Sequence, residues 1–313
     1  MDALVVAGPT AGGKSALALA LALRLGGTIV NADSQQLYGD LRILTARPSP
    51  EDEAAAPHRL YGALAAREVG SAERWRQMAV AEIQAARSRD SIPILVGGTG
   101  LYLRALVQGL AAVPDIPEAV REEGRALHRR MGGPAFHDLL ARLDPEAADR
   151  LAPGDSQRLV RAWEVVTATG RTLGEWQRAT AAPADAPRVA AILVMPARLA
   201  LQPVLAERFR AMVAGGALDE VRRLLALGLP DDLPIMKAVG VPELAAHLAD
   251  CASLEEAMVA GIRSTEQYAK RQLTWFRHQA PRDMPTHRIL REQYSERVLP
   301  EIFAFLRQFR LTT

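Results

Sequence analysis

Short, unbroken apolar runs alternate with longer amphipathic stretches along the first hundred or so residues, and glycine closes most of them. Ala3–Ala7 (ALVVA) is apolar throughout and stops at Gly8, as expected of a strand buried on both faces. Ser15–Leu25 is rich in Ala and Leu and ends at Gly26-Gly27, which predicts a helix with a glycine stop. TIVNA at 28–32 predicts a second strand, ending at Asp33, and residues 71–90 predict a helix. IPILV at 92–96 predicts another buried strand, running into Gly97-Gly98-Thr99-Gly100 and a helix over Leu101–Val107. Strands alternating with helices predict a parallel α/β sheet, and in such sheets ligands collect beyond the carboxyl ends of the strands. Gly8, Asp33 and Gly97 each follow a strand, so all three are expected at one site.

The pattern changes near Val113-Pro114-Asp115-Ile116-Pro117. From there to about residue 182 helices follow one another with loop signals and no convincing strand: Pro117–Met131 to Gly132-Gly133, Pro134–Leu143 to Asp144-Pro145, Gln157–Thr169 to Gly170. AAPADAP at 181–187 is a linker by composition, and Val189–Met195 resumes the strand character. The expected organisation is an α/β core over 1–112 and 188–313 with an all-helical insertion over 113–187. In the helix Gln157–Thr169 the 3.6-residue period places Leu159, Ala162, Trp163 and Val166 on a core arc, with Gln157, Arg158, Arg161 and Glu164 opposite. That polar arc with two arginines is what a solvated helix surface looks like when taken alone.

Composition narrows the class. A chain of 313 residues with 49% hydrophobic and 24% charged residues can bury a core and is neither disordered nor fibrous. Arg, Asp or Gly interrupts every apolar run before it reaches membrane-spanning length, and MDALVVAGPT reads as a first strand rather than a signal peptide. One cysteine, Cys251, excludes a disulfide scaffold and a Cys-based zinc site and suits a reducing cytoplasm. The six histidines are scattered without metal-ligand spacing, and no G-x-S-x-G elbow occurs. A formal charge of +2 argues for no particular partner, but only three of the 38 cations are lysines: Lys14, Lys237 and Lys270.

Lys14 lies in the segment that carries the clearest chemistry. Gly8-Pro9-Thr10-Ala11-Gly12-Gly13-Lys14-Ser15 fits G-x-x-x-x-G-K-[ST] between a predicted strand and a predicted helix. The glycines let backbone N–H groups turn inward around phosphate oxygens, and the helix N-terminus adds a favourable dipole. Lys14 then reaches the terminal phosphates and the Ser15 hydroxyl can ligate Mg²⁺. The fold expected is therefore a P-loop core, its parallel sheet flanked by helices, plus the helical insertion. No hydrophobic strand ends in a Mg²⁺-binding aspartate, as it would in an ordinary nucleotide hydrolase. The acid at a strand end is Asp33, which could act as a base on an acceptor or simply cap the next helix. Thr99 could bond a phosphate or a nearby base, or sit in a plain tight turn.

Two further helices stand out. In YAKRQLTWFRH (268–278), Lys270, Thr274 and Arg277 share one helical face, and Tyr268, Gln272 and Trp275 share the neighbouring one. Cations beside aromatics and amides suit a nucleic-acid backbone with unstacked bases, although helix aromatics often pack a core. Arg208 lies on another helix, and the residues around it assign it no role.

Taken together, the segments GPTAGGKSALA (8–18), NADSQQLY (31–38), TARP (45–48), APHRL (56–60), VGGTGLYLRAL (96–106), DPEAADRL (144–151), DSQRLVRAWEV (155–165) and YAKRQLTWFR (268–277) resemble the bacterial tRNA dimethylallyltransferases, also called tRNA isopentenyltransferases. The resemblance implies a cytoplasmic, monomeric prenyltransferase whose donor is dimethylallyl diphosphate. Its acceptor would be the N6 amine of the adenosine 3′-adjacent to the anticodon in tRNA. It implies that Gly8–Ser15 holds diphosphate together with Arg208, that Mg²⁺ is the cofactor, that Asp33 is the general base and that Thr99 lies beside the reacting groups. It further implies tRNA contacts from Asp33, Ser34, Gln35, Gln36, Thr99, Arg121, Gln157, Arg158, Leu159, Val160, Arg161, the Lys237–Pro242 segment, Lys270, Arg271, Gln272 and Arg277. The helical insertion would help grip the anticodon stem-loop and flip the target base. Leu44, Ala152, Gly154, Val241, Pro242 and Glu266 depart from the family's usual residues, whereas the P-loop, Asp33, Thr99 and Arg208 do not. A P-loop kinase of a small metabolite, using Lys14 and Ser15 for ATP and Asp33 as base, is the alternative, and a nucleotide-sensing nucleic-acid-binding protein is a third reading.

Overall fold

The computed structural model describes residues 1–309, the Pro281 side chain excepted; the last four residues of the expected core lie outside this range. The chain divides into two compact units, one formed by Met1–Gln108 with the segment from Ala184 onward, the other by Gly109–Pro183. The boundaries expected at 113 and 187 lie four residues further along at each end.

The first unit opens with β1 (Ala3–Ala7), α1 (Lys14–Leu25), β2 (Gly27–Asn31), α2 (Pro50–Ala55), β3 (His58–Arg59), α3 (Ala72–Arg87), β4 (Ile92–Gly97) and α4 (Gly100–Gln108). The helical unit contributes α5 (Glu118–Met131), α6 (Gly133–Leu143), α7 (Pro145–Arg150), α8 (Ser156–Thr169) and α9 (Leu173–Arg178). The first unit resumes with β5 (Val189–Val194), α10 (Arg198–Met212), α11 (Leu218–Leu225), α12 (Val241–Leu248), α13 (Leu254–His278), α14 (Ala280–Asp283), β6 (His287–Leu290) and α15 (Leu299–Leu306).

The sheet order is β3-β2-β4-β1-β5-β6, and every neighbouring pair is parallel. This is the α/β architecture expected from the apolar runs. β1 and β5 are buried at every position, the pattern of strands covered on both faces. Leu17 and Leu21 of α1 and Leu299, Ile302 and Leu306 of α15 join Leu4, Val6, Ile29, Ile94 and Ile192 in one core. The register sets the site: Ala7 pairs with Gly97 and Leu193, and Asn31 with Val96. The strands β1, β2, β4 and β5 therefore end level, and the residues that follow them emerge at one edge.

Two strands escape the sequence pattern. β3 has two residues and β6 only His287–Leu290, both at sheet edges, too short for any periodicity to register. In the helical unit, Phe136, Leu140, Leu159, Ala162 and Trp163 form the core, so the expected arc of α8 faces inward. Glu164 departs from its assigned polar arc: it is buried, and its carboxylate accepts a hydrogen bond from Arg161 at 3.3 Å.

Candidate active site

The loop after β1 turns sharply enough that only glycine serves at its start. Gly8 has φ +146°, and a Cβ there would sit 2.1 Å from the Val194 carbonyl oxygen of β5. Gly13, at φ 89°, leads into α1, whose first residue is Lys14; the Lys14 ammonium folds back to donate to the Pro9 carbonyl at 2.7 Å. Burial pulls its pKa down to about 8; the Arg208 charge adds to this and the Asp33 carboxylate opposes it. The Ser15 hydroxyl stands exposed one residue further on.

Asp33 lies just beyond β2, where Asn31 holds it. The fully buried Asn31 side chain accepts from the Asp33 N–H at 2.8 Å and donates to the Asp33 carbonyl at 3.0 Å and the Leu60 carbonyl at 3.1 Å. Behind it, the Trp75 indole of α3 donates to the Asn31 carbonyl at 2.7 Å. The Asp33 carboxylate itself accepts from the Gln35 N–H at 3.0 Å. Burial pushes its pKa up, while Lys14, the Gln35 N–H and Arg208 pull it back. Arg208 of α10 is lowered by burial and supported by Asp33. A half-buried carboxylate between two desolvated cations is the kind of arrangement found at sites of acid–base chemistry.

Thr99, after β4, ties two loops together. Its hydroxyl accepts from the Ser34 N–H at 2.9 Å and donates to the Ser34 hydroxyl at 3.2 Å, and its own N–H reaches the Ala32 carbonyl at 3.3 Å. Tyr268 of α13 directs its hydroxyl at Thr99 and Gln35; burial and the charge of Asp33 both hold that phenol protonated.

Two adjoining cavities meet at Asp33. One, of about 240 Å³, is lined by Gly13, Lys14, Ser15, Gln36, Arg47 and Asp52 among others, a polar set. The second is narrow, about 50 Å³, and mostly apolar, lined by Leu44, Leu205, Phe209, Met212, Val239 and Tyr268. Thr10, Asp33, Thr45 and Arg208 belong to both walls. The site can hold a small amphiphile with an anionic head and a hydrocarbon tail, its junction at a carboxylate.

The inward face of α13 differs from expectation. Gln272 is 4% exposed, accepts from the Thr10 N–H at 2.8 Å and donates to the Gly98 carbonyl at 3.1 Å. It bridges the loop after β1 to the loop after β4, and its side chain is buried there rather than offered to solvent. Trp275 packs on Gly100, where a Cβ would meet the indole at 2.1 Å. The aromatic and amide face is therefore turned onto the loops after β1 and β4. Lys270, Arg271, Thr274 and Arg277 are exposed on the other face. Leu159, expected as an RNA contact, is fully buried in the core of the helical unit, so its side chain cannot make one. Gln157 and Arg158 beside it are exposed, Val160 and Arg161 half-buried. Arg121 donates to the Ile116 carbonyl at 3.1 Å within that unit. Lys237 is exposed in a short turn of the first unit. Gln36 uses its amide to hold the carbonyls of Thr45 and Ala46 at 2.9 and 2.8 Å, and Gln35 accepts from the Val239 N–H at 3.3 Å.

The sequence assigns no role to three residues of the site: Asn31, which lies in NADSQQLY (31–38), Arg47 and Glu220. Glu220 of α11 is 4% exposed, and its carboxylate accepts from the N–H groups of Arg42, Ile43 and Leu44 at 2.6, 3.0 and 2.9 Å. It reaches across 176 to 178 positions of sequence to do so. Their spacing carries no motif, although TARP at 45–48 contains Arg47.

A model of the IPP transferase family matches residues 36–279. A tRNA dimethylallyltransferase of Rhodospirillum centenum is 58% identical over 277 residues, 88% of each chain. Another, of Paramagnetospirillum magneticum, is 52% identical over 310 residues, 99% of this chain and 97% of its relative. The crystal structure of the tRNA isopentenylpyrophosphate transferase of Bacillus halodurans superposes with a TM-score of 0.69 at 30% identity, covering 98% of this chain and 96% of that one. The likeness spans both units and every strand-end loop that builds the two cavities, and the chain belongs to the IPP transferase family.

Proposed function

We propose that this protein is an enzyme that transfers a dimethylallyl group from dimethylallyl diphosphate to N6 of the adenosine 3′-adjacent to the anticodon in tRNA. The observation that carries the reading is the pair of cavities, polar under the P-loop and apolar beyond Arg208, meeting at Asp33. ATP would fill the polar cavity but leave the apolar one without purpose, and the relatives' names favour prenyl transfer over a kinase.

In the reaction, the N6 nitrogen forms a bond to C1 of the prenyl group as the C1–O bond to diphosphate breaks. The N6 lone pair is delocalised into the purine, so its proton becomes acidic only as that bond forms; the Asp33 carboxylate accepts it then. Negative charge grows on the departing diphosphate, where the P-loop N–H groups, Lys14 and Arg208 are placed to meet it. Thr99 and Tyr268 position the Asp33 loop through Ser34 and Gln35.

Mg²⁺ would be held in the polar cavity, whose lining includes the exposed Ser15 hydroxyl as the protein ligand it would use. Among the described residues no group of three His, Cys, Asp or Glu could hold a metal alone, so most ligands would be donor oxygens and water. Bound there, Mg²⁺ would supply charge neutralisation of the leaving diphosphate. The exposed Lys270, Arg271 and Arg277 of α13 and the exposed Gln157 and Arg158 of α8 are the side chains offered to tRNA. No helix among the described residues is long and apolar enough to cross a membrane. On this reading the enzyme acts as a monomer on tRNA in the cytoplasm.

The test is incubation of bulk tRNA with labelled dimethylallyl diphosphate and Mg²⁺, followed by nucleoside analysis. Label is expected in N6-prenyladenosine. Thermal stabilisation by ATP without any by the prenyl diphosphate, together with unlabelled tRNA, would establish the kinase instead.

A further inference from the structure

The loop between β2 and α2 carries two arginines with opposite fates. The Arg42 guanidinium donates to the Pro48 carbonyl at 2.6 Å and pairs with Glu53 at 3.2 Å. Among the described residues the Arg47 guanidinium makes one hydrogen bond, from Nη1 to the Gly39 carbonyl at 3.2 Å, and its buried Nε has no partner. Among the described residues no carboxylate lies within ion-pair distance of it. Its guanidinium lies so close to Gly62 that a Cβ there would stand 2.5–2.7 Å from its atoms. Burial, then the neighbouring Arg42 charge, lowers its pKa below the ordinary arginine value.

Glu53 and Glu220 support its charge from a distance without pairing with it; a half-buried cation lacking a direct ion pair is costly, and the loop that carries this one is held in place by its surroundings. Glu220 gathers the N–H groups of Arg42, Ile43 and Leu44, Gln36 gathers the carbonyls of Thr45 and Ala46, and Ala46 adopts φ 50° just before the arginine. The anchored loop brings Arg47 into the wall of the polar cavity, with Lys14, Ser15 and Arg208 in the same wall. A planar fork of donors matches two phosphoryl oxygens.

We infer that Arg47 binds the phosphoryl oxygens of the donor's diphosphate as a third cation beside Lys14 and Arg208. The ligand's identity rests on the prenyl-transfer reading. An RNA backbone phosphate has the same chemistry, but a cavity shared with the P-loop favours the diphosphate.

The experiment titrates inorganic pyrophosphate with Mg²⁺ into wild type, Arg47→Met, Arg47→Lys and Lys14→Ala by calorimetry, with tRNA affinity measured against salt in parallel. Arg47→Met keeps the packing of the stem and is expected to weaken pyrophosphate binding about 10- to 100-fold, the range for losing charged hydrogen bonds. Arg47→Lys should lose less, and the tRNA salt slope should match wild type. If melting curves show Arg47→Met unfolded, the Lys variant decides: a loss of at least about threefold supports the inference, and equality with wild type overturns it. Pyrophosphate affinity unchanged in a folded Arg47→Met, while Lys14→Ala loses binding, overturns the role of Arg47 alone. A shallower tRNA slope with pyrophosphate unchanged also overturns it and gives Arg47 to RNA. Wild type that does not bind pyrophosphate at all removes the prenyl-transfer reading instead.

Discussion

Lys14 offers a pH test with a definite sign. Burial has lowered its pKa to about 8 in the ligand-free protein, so the ammonium is lost as pH rises through that value. A diphosphate bound against it favours the charged form and returns the pKa upward, so binding is coupled to proton uptake. With a pKa of about 8, the charged fraction of the free protein falls from about nine-tenths at pH 7 to about one-tenth at pH 9. If the bound lysine stays charged throughout, donor affinity should fall about tenfold over those two pH steps, and binding at pH 8 should take up about half a proton. Calorimetry of the prenyl diphosphate, in buffers of different ionisation enthalpy, measures both quantities. The ligand's own titration is removed by comparison with Lys14→Arg, whose guanidinium stays charged across the range. The slope difference is the readout, whatever the absolute affinity of the variant. Equal pH slopes for wild type and Lys14→Arg would refute the picture of a desolvated lysine waiting for a diphosphate.

Asp33→Asn preserves shape while removing basicity; single-turnover rates with saturating substrates should fall by about 10²–10⁴ with both affinities nearly intact, and a loss under about tenfold would mean Asp33 serves only as a turn residue. Gln272→Leu deprives the Thr10 N–H and the Gly98 carbonyl of their partner and should raise the KM for the prenyl diphosphate while leaving tRNA affinity at wild-type level. The reverse pattern in filter-binding and kinetic assays would return Gln272 to the RNA surface. Lys270→Ala with Arg277→Ala should leave donor affinity alone and flatten the log–log salt dependence of tRNA binding by up to about one unit per lost phosphate contact. An unchanged slope would place those cations away from RNA.

The sheet and the glycine turn after β1 were legible because their signals are local. A five-residue apolar run, a glycine turn and an Ala/Leu helix lie end to end between Ala3 and Leu25, and the structure reproduces them to within a residue. The same holds for β4 and its glycine loop, and for the meeting of strand ends that parallel topology requires. The family resemblance rested on those segments too. Residues whose partners lie far along the chain were not legible. Nothing near Glu220 announces that it caps Arg42–Leu44, and nothing near Asn31 shows that it orients Asp33. The helix at 268–278 shows a subtler limit. Periodicity separates its two polar faces, but both are rich in hydrogen-bonding groups, so pattern alone cannot say which one turns inward. The small residues Gly98 and Gly100, which leave room for Gln272 and Trp275, held the answer on another segment.

α13 has a consequence for how such an enzyme can diversify. Its 25 residues run about 37 Å at the ordinary rise, with donor-site contacts on one side and solvent on the other. Substitutions on the outer side can accumulate without disturbing Thr10, Thr99 or Gly98, because a helix keeps neighbouring faces apart by its own geometry. With the tRNA contacts proposed for Lys270, Arg271 and Arg277, a lineage or a designer could vary that face to suit a different set of tRNAs and leave the prenyl chemistry in place. The inner side has no such freedom: Tyr268, Gln272 and Trp275 pack on the loops that follow β1, β2 and β4. Substrate range and chemistry are written on the same twenty-five residues in two separate columns, and only one of them is open to revision.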